Sequence, residues 1–140
     1  MQCHPNSVTP KKAELLKKMN CASVTLSMEC GNYHYRKNIL KRQYTNEKFI
    51  KTVGILKDAG IRTAALTMIG LPYESRKMIF ETIDLGRKSK PSHTNANIFF
   101  PYLGTPLGDL AAKEGFCNPD EVRISKFDAS RTLMEMPQIK

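Results

Sequence analysis

A strand–loop–helix pattern that occurs three times constrains the fold of this chain more than any other feature. Short runs rich in apolar and β-branched residues predict strands at 22–29, 62–69 and 94–100. Amphipathic runs predict helices at 10–19, 46–59 and 75–88, with a shorter one at about 107–114. We expect these longer helices to be capped by Thr9, Asn46 and Ser75. Strands that alternate with helices of this length predict parallel β/α units.

A glycine follows each predicted strand, at Gly31, Gly70 and Gly104. These glycines are 39 and 34 residues apart, which is close to the length of one β/α repeat. Two architectures fit this repeat, a doubly wound sheet and a β/α barrel, and both place ligand-binding groups in loops after the carboxyl ends of the strands. The chain has no glycine-rich phosphate loop of either common type, so a phosphate-binding enzyme lacks sequence support.

The predicted strands carry small polar residues on one face. Alternate residues of a strand point to the same side, so each strand has one such face. In strand 22–29 this face consists of Ser23, Thr25, Ser27 and Glu29, in strand 62–69 of Thr63, Ala65 and Thr67, and in strand 94–100 of Asn95, Asn97 and Phe99. A parallel strand buried between two helix layers should be apolar on both faces. A polar face on all three strands therefore favours a lumen that holds a polar ligand. The alternative is that the serines and threonines fill tight space beside a helix.

The chain is basic, with 22 lysines and arginines against 13 acidic residues and a net charge of +9. Residues 1–60 hold 11 basic and 4 acidic side chains, so most of the excess lies there. A basic surface attracts RNA or another anionic partner, and a non-catalytic β/α module that binds such a partner through residues 11–57 is one function to consider. The lysines also fit the solvated outer faces of two helices, which is the simpler interpretation.

The four cysteines are Cys3, Cys21, Cys30 and Cys117, and no two of them have the short separation of a metal-binding motif. We therefore expect reduced thiols with mostly structural roles. No apolar run reaches the 18 residues of a membrane-spanning helix, and the first residues lack the layout of a signal peptide. These features predict a cytoplasmic protein with no membrane partner.

Three segments at the predicted strand ends resemble motifs of radical S-adenosylmethionine (SAM) enzymes. Residues 27–32 read S-M-E-C-G-N and resemble the G-x-E-S-G-N segment after the fourth barrel strand of that family. Residues 68–75 read M-I-G-L-P-Y-E-S and resemble the M-I-G-L-P-x-E-T segment after the fifth strand. Residues 97–106 read N-I-F-F-P-Y-L-G-T-P and resemble the S-I-F-Y-P-Y-P-G-T-x-L segment after the sixth strand. Residues 35–42 read Y-R-K-N-I-L-K-R and are similar to an L-R-K-x-V-L-x-R stretch of the subgroup that often carries an upstream cobalamin-binding domain.

The resemblance implies a partial (βα)6 barrel, an α/β fold in which residues 1–118 supply about three parallel repeats, the fourth to sixth strands. Residues 119–140 would begin a following region or form a loose tail. The resemblance also implies an enzyme that, when complete, cleaves SAM reductively at a 4Fe–4S cluster to give a 5′-deoxyadenosyl radical. The family holds that cluster with a C-x-x-x-C-x-x-C motif, which this chain lacks. We therefore expect a fragment that is inactive alone.

The resemblance further implies the molecules with which the complete enzyme works. These are SAM, a substrate, an electron donor such as a flavodoxin or ferredoxin and, in the cobalamin subgroup, cobalamin. At the strand ends, Glu29 would accept hydrogen bonds from the ribose hydroxyls or the ammonium group of SAM. Arg36 or Arg42, both on the following short helix, would pair with the carboxylate of SAM.

The same resemblance assigns the adenine side of SAM to the later strand ends. Gly70 would let the backbone approach the adenine ring, and Phe99 and Tyr102 would flank it. Glu74 is predicted to be a first-turn helix acid, and Cys30 stands where the family pattern has serine. The full predicted cofactor-binding set is Ser27, Glu29, Arg36, Arg42, Thr67, Gly70, Asn97, Phe99 and Tyr102.

Overall fold

The computed structural model describes residues 1–124 and 132–139. The strands of these residues are β1 (Gln2–Cys3), β2 (Ser23–Glu29), β3 (Arg62–Ile69) and β4 (His93–Ile98). Their α-helices are α1 (Pro10–Lys18), α2 (Tyr33–Asn38), α3 (Asn46–Asp58), α4 (Arg76–Ser89), α5 (Pro106–Lys113) and α6 (Pro119–Ile124). The predicted strands and helices are present, with bounds that differ by at most two residues. Within these ranges no helix is both long enough and apolar enough to cross a membrane.

The four strands form one parallel sheet in the order β1-β2-β3-β4. β2 lies between β1 and β3 and pairs in parallel with both. Each strand is followed by at least one helix, which is the arrangement expected when consecutive β/α units are joined by right-handed crossovers. The parallel α/β fold class predicted from the sequence is confirmed.

The contacts within the chain divide it into two units. The first comprises Met1–Thr67 and Lys77–Ala96, and the second comprises Met68–Arg76 and Asn97–Lys140. The division at residue 118 that the family resemblance implies stays a prediction. Of the region 119–140, residues 125–131 and 140 lie outside the described residues.

The core of the first unit lies between β2 and the helices. β2 contributes Val24, Leu26 and Met28, which are almost completely buried. The helices contribute Ala13 from α1, Leu85 from α4, and Phe49, Val53 and Leu56 from α3. Burying a side chain of this size contributes about 1.5–3 kcal/mol, so these residues hold the helices against one face of β2. The helix-facing side predicted for this strand is confirmed.

The prediction that Thr63, Ala65 and Thr67 of β3 face a lumen is wrong. The register of the sheet pairs Leu26 with Ala65, and both side chains lie in the core with the helices. Thr63 and Thr67 share the face of Ala65, because alternate residues of a strand point the same way, and both are nearly fully buried. They fill space beside the helices, whereas Ser27 points to the opposite face of the sheet.

The carboxyl end of β2 is irregular. The register between β2 and β3 shifts by one residue between Ser27 and Glu29. Glu29 has a φ of +60°, in the left-handed region that a residue with a Cβ atom seldom adopts. A bulge of this kind bends a strand and changes the direction of the side chain beside it. The bulge therefore sets where the Glu29 carboxylate lies.

Candidate functional site

The carboxyl end of β2 brings Glu29 and Arg42 together in the first unit. Nη2 of Arg42 lies 3.4 Å from Oε1 of Glu29, and 46% of the Arg42 side chain is exposed against 12% of the Glu29 side chain. Burial raises the pKa of Glu29, and the positive charges of Arg42 and then Arg36 oppose that rise. An acidic acceptor that is mostly buried thus lies beside an accessible cation.

Arg36 has a different environment from Arg42. It is fully buried, and its Nη1 donates a hydrogen bond to the carbonyl of Cys30 at 2.5 Å. Its Nη2 donates to the carbonyl of Tyr44 at 2.9 Å and to Oδ1 of Asn46 at 2.7 Å. Of the two arginines predicted to bind a ligand carboxylate, Arg42 is therefore the one with an accessible head group. Arg42 lies beyond the end of α2, so its predicted place on that helix is wrong.

Ser27 and Thr67 both hydrogen-bond within the protein. Oγ of Ser27 accepts a hydrogen bond from Nε2 of Gln2 at 3.0 Å. Oγ1 of Thr67 donates to the carbonyl of Glu29 at 2.6 Å. Thr67 therefore acts on the backbone of Glu29, and contact of either hydroxyl with a ligand stays a prediction.

The residues that follow Glu29 serve packing and capping. Cys30 is fully buried. A Cβ atom at Gly31 would lie 2.2 Å from the carbonyl oxygen of Glu81 in α4, so this position requires glycine. Asn32 caps α2, since its Oδ1 accepts a hydrogen bond from the N–H of Tyr35 at 2.8 Å. Within the motif at 27–32, Glu29 is the residue whose carboxylate lies beside the accessible Arg42.

In the second unit, residues 70–74 form a tight loop after β3. Gly70 has a φ of +85°, which glycine adopts without strain. The carboxylate of Glu74 accepts hydrogen bonds from the N–H groups of Gly70 at 2.6 Å and Leu71 at 3.3 Å. The prediction that Glu74 is a first-turn helix acid is wrong, because α4 begins at Arg76 and the carboxylate turns back onto the loop. Burial raises the pKa of Glu74, and the two N–H donors oppose that rise.

The other predicted residues of the second unit lie at or after the end of β4. Asn97 is exposed, and Phe99 is mostly buried with its N–H donating to the carbonyl of Ile69 at 2.8 Å. Tyr102 is 55% exposed, and its ring centroid lies 4.7 Å from that of Phe100. A cavity of about 570 Å³ in this unit is lined mainly by apolar side chains, among them Ile69, Ile98, Met134 and Met136, together with Gly70.

The cysteines do not assemble a metal site. Across residues 1–124 and 132–139, no three histidine, cysteine, aspartate or glutamate side chains come together as metal ligands. Cys30 and Cys117 are buried, and Cys3 and Cys21 are partly buried. A 4Fe–4S cluster is held by thiolates grouped around it. The residues present therefore do not fit such a cluster.

Comparison with curated proteins identifies relatives that are longer than this chain. The biotin synthase of Erythrobacter litoralis (strain HTCC2594) is 24% identical over 136 residues, which cover 95% of this chain and 39% of that protein. The tRNA-2-methylthio-N(6)-dimethylallyladenosine synthase of Clostridioides difficile (strain 630) is 24% identical over 132 residues, which cover 91% of this chain and 27% of that protein. The chain thus spans well under half the length of these two relatives.

Solved structures share the fold of this chain. The radical SAM methyltransferase TsrM from Kitasatospora setae, solved with cobalamin and a [4Fe-4S] cluster, aligns with a TM-score of 0.69 and 23% identity, over 81% of this chain and 23% of its own. Elp3 from the archaeon Methanocaldococcus infernus aligns with a TM-score of 0.68 and 24% identity, over 81% of this chain and 27% of its own. Coproporphyrinogen III oxidase (HemN) from Escherichia coli, a radical SAM enzyme, aligns with a TM-score of 0.65 and 13% identity, over 81% of this chain and 25% of its own.

These structural matches show that the described residues have the fold of part of a radical SAM barrel. The family model of the radical SAM superfamily matches residues 1–86, which is more than half of the sequence. The chain therefore belongs to the radical SAM superfamily.

Proposed function

We propose that this chain supplies part of the SAM-binding surface of a radical SAM enzyme, with Glu29 and Arg42 as the residues that hold the polar end of SAM. The observation that supports this most is their juxtaposition, a mostly buried acid 3.4 Å from an accessible arginine where β2 ends. Ligand groups in parallel α/β folds bind at this end of the strands.

The chemistry of the two side chains matches the polar groups of SAM. An ionised Glu29 can accept hydrogen bonds on both oxygens, from the ammonium group or from the ribose hydroxyls. The planar guanidinium of Arg42 can donate two hydrogen bonds to the carboxylate of SAM. Binding would replace the direct contact between Glu29 and Arg42 with a contact from each side chain to the ligand.

The charge state of Glu29 decides whether it can play this role. A protonated carboxyl group loses acceptor capacity and the attraction for an ammonium group. Burial raises the pKa of Glu29 above its usual value of 4.5. SAM affinity should therefore fall on acidification at a higher pH than for an exposed glutamate.

In the second unit, taken by itself, Gly70 is proposed to face the adenine ring. Its lack of a Cβ atom leaves the backbone accessible, and the hydrogen bonds that the N–H groups of Gly70 and Leu71 donate to the Glu74 carboxylate fix the loop that carries it. Asn97, Phe99 and Tyr102 remain further candidates on the strength of the motif that they share with the family. Of these, Tyr102 has the exposed ring that stacking on a base requires.

Binding and orienting SAM are the tasks that we propose for the residues of this chain. In enzymes of this superfamily, SAM supplies the 5′-deoxyadenosyl group through one-electron cleavage. The cysteines of this chain do not fit the cluster, so no step of that cleavage is assigned to them. The electron donor, the substrate and any use of cobalamin belong to the proposed activity of a complete enzyme.

The proposal is tested by measuring the SAM affinity of Glu29→Gln and Arg42→Met variants by equilibrium dialysis with radiolabelled SAM. Loss of a hydrogen bond to a charged group costs about 1.5–3 kcal/mol, so each variant should bind about 10- to 100-fold more weakly. Lys17→Ala and Lys51→Ala are the controls, because both lysines are exposed on the outer helices and should leave the affinity unchanged. Equal affinities for all four variants would remove Glu29 and Arg42 from the site.

A further inference from the structure

Five consecutive carbonyl groups at the carboxyl end of β2 accept hydrogen bonds from side chains of the first unit. The acceptors are the carbonyls of residues 27–31. The hydroxyl of Tyr44 lies 2.5 Å from the carbonyl oxygen of residue 27 and 2.9 Å from that of residue 28. Thr67 donates to the carbonyl of residue 29 at 2.6 Å. Arg36 donates to the carbonyl of residue 30 at 2.5 Å, and Asn46 donates to that of residue 31 at 2.9 Å. We name these four donors, Arg36, Tyr44, Asn46 and Thr67, the carbonyl clamp.

We propose that Arg36 and Tyr44 are positioning residues, which hold Glu29 and Arg42 in the arrangement that binds SAM. The inference rests on the proposed function and adds to it the residues that keep the site in shape. Neither residue needs to touch the ligand, since both are buried and act through the backbone of β2 and its neighbouring loop.

Arg36 connects the members of the carbonyl clamp. Its Nη2 donates to the carbonyl of Tyr44 at 2.9 Å and to Oδ1 of Asn46 at 2.7 Å, so one guanidinium holds the backbone of Tyr44 and the side-chain amide of Asn46. The guanidinium also lies 4.4 Å from the centroid of the Tyr44 ring, within the range of a cation–π contact. The carbonyl of Arg36 accepts the N–H of Arg42 at 2.9 Å. Arg36 is therefore linked to both sides of the candidate site.

The charge of Arg36 adds to its geometric role. Its three hydrogen-bond acceptors named above are neutral oxygens, so none of these hydrogen bonds neutralises its positive charge. That charge favours the ionised form of Glu29 and opposes the rise in the pKa of Glu29 that burial causes. A lysine at position 36 would keep the charge and lose the planar set of donors.

Glu29 needs such support because its backbone conformation is unfavourable. A φ of +60° is disfavoured for a residue with a Cβ atom and persists where the surroundings hold it. If the clamp were released, the bulge between Ser27 and Glu29 could relax to a regular register. A shift of one residue turns a side chain to the opposite face of the sheet, which would carry the Glu29 carboxylate away from Arg42.

The test uses Tyr44→Phe, which removes one hydroxyl and keeps the ring, and Arg36→Lys, which keeps the charge. Thr52→Val is the matched control, because the fully buried Thr52 hydroxyl donates to the carbonyls of Pro5 and Lys48, outside the clamp. The ¹³Cα shift of Glu29 and the pH titration of its carboxyl carbon are measured by NMR without ligand. SAM affinity is then measured on the same variants.

Both clamp variants should move the Glu29 ¹³Cα shift toward that of an extended residue, alter its titration, and weaken SAM binding about tenfold. Thr52→Val should lower the melting temperature and leave the Glu29 signals and SAM affinity unchanged. Glu29 signals that stay unchanged in both clamp variants, or that move as much in Thr52→Val, would overturn the positioning role. If the wild-type chain fails to bind SAM while the clamp variants move the Glu29 signals, the proposed function fails and the positioning of Glu29 stands.

Discussion

Replacing Gly31 with alanine tests the packing that holds the candidate site against α4. The new Cβ atom would lie 2.2 Å from the carbonyl oxygen of Glu81 and 2.4 Å from the backbone nitrogen of Thr82. Both are backbone atoms, so the helix or the turn after β2 must move, which costs about 1–3 kcal/mol for overpacking. The movement would also weaken the hydrogen bond that the Gly31 N–H donates to Oγ1 of Thr82 at 2.8 Å. Such a bond contributes about 0.5–1.5 kcal/mol, so we expect a total loss of about 1.5–4.5 kcal/mol in the free energy of unfolding.

Gly54→Ala is the matched control for this substitution. Gly54 lies inside α3, and among the described residues a Cβ atom there would meet no atom within 4 Å apart from its chain neighbours and the nearby backbone of its own helix. Alanine is the better helix former, so Gly54→Ala should stabilise the chain by about 0.5–1 kcal/mol. Urea unfolding followed by far-ultraviolet circular dichroism measures both variants. A Gly31→Ala variant as stable as the wild type would refute the close contact between this turn and α4.

Two further predictions concern the cluster and pH. Anaerobic reconstitution with iron and sulfide should leave the chain without a 4Fe–4S cluster, because its cysteines are scattered, and about four irons per chain with broad visible absorption would contradict this. The raised pKa values of Glu29 and Glu74 mean that the folded chain takes up protons at a higher pH than the unfolded chain. The free energy of unfolding of the wild-type chain, relative to that of a Glu29→Gln, Glu74→Gln double variant, should therefore rise as the pH falls from neutral towards 4.5. If the free energies of unfolding of both proteins show the same pH dependence, the raised pKa values of the two glutamates are refuted.

The periodicity of the sequence predicted correctly which face of β2 meets the helices and predicted the wrong face for β3, and the difference has a physical cause. In β2, large apolar residues alternate with polar ones, so burial decides which face meets the helices. In β3, Thr63 and Thr67 flank Ala65, and threonine is close to valine in shape. The face of such a strand is decided by its register, which pairs Leu26 with Ala65. Alternation within one strand contains no information about that pairing.

Motif resemblance singled out Glu29, Arg36, Arg42 and Thr67 as candidate ligand-binding residues, and their contact with a ligand stays a prediction. It did not indicate that Arg36 and Thr67 donate to backbone carbonyls at the end of β2, because a carbonyl that needs a donor leaves no mark on the sequence. Asn46 shows the difficulty, since it was expected to cap α3. The cap is Thr45, whose Oγ1 accepts from the N–H of Lys48 at 3.1 Å, and the amide of Asn46 is used in the clamp. Both residue types cap helices well, so sequence alone could not separate the two roles.

Binding of SAM beside Glu29 and Arg42 can be followed directly by titrating the ¹⁵N-labelled chain with SAM and recording NMR spectra. We expect the largest shift changes at the backbone amides of Glu29 and Cys30 and at the Nε–H of Arg42. The same changes should be absent in the Glu29→Gln variant at equal SAM concentration. Changes confined to the lysines of α1 and α3 would contradict binding of SAM at Glu29 and Arg42 and would favour a surface that binds anions without specificity.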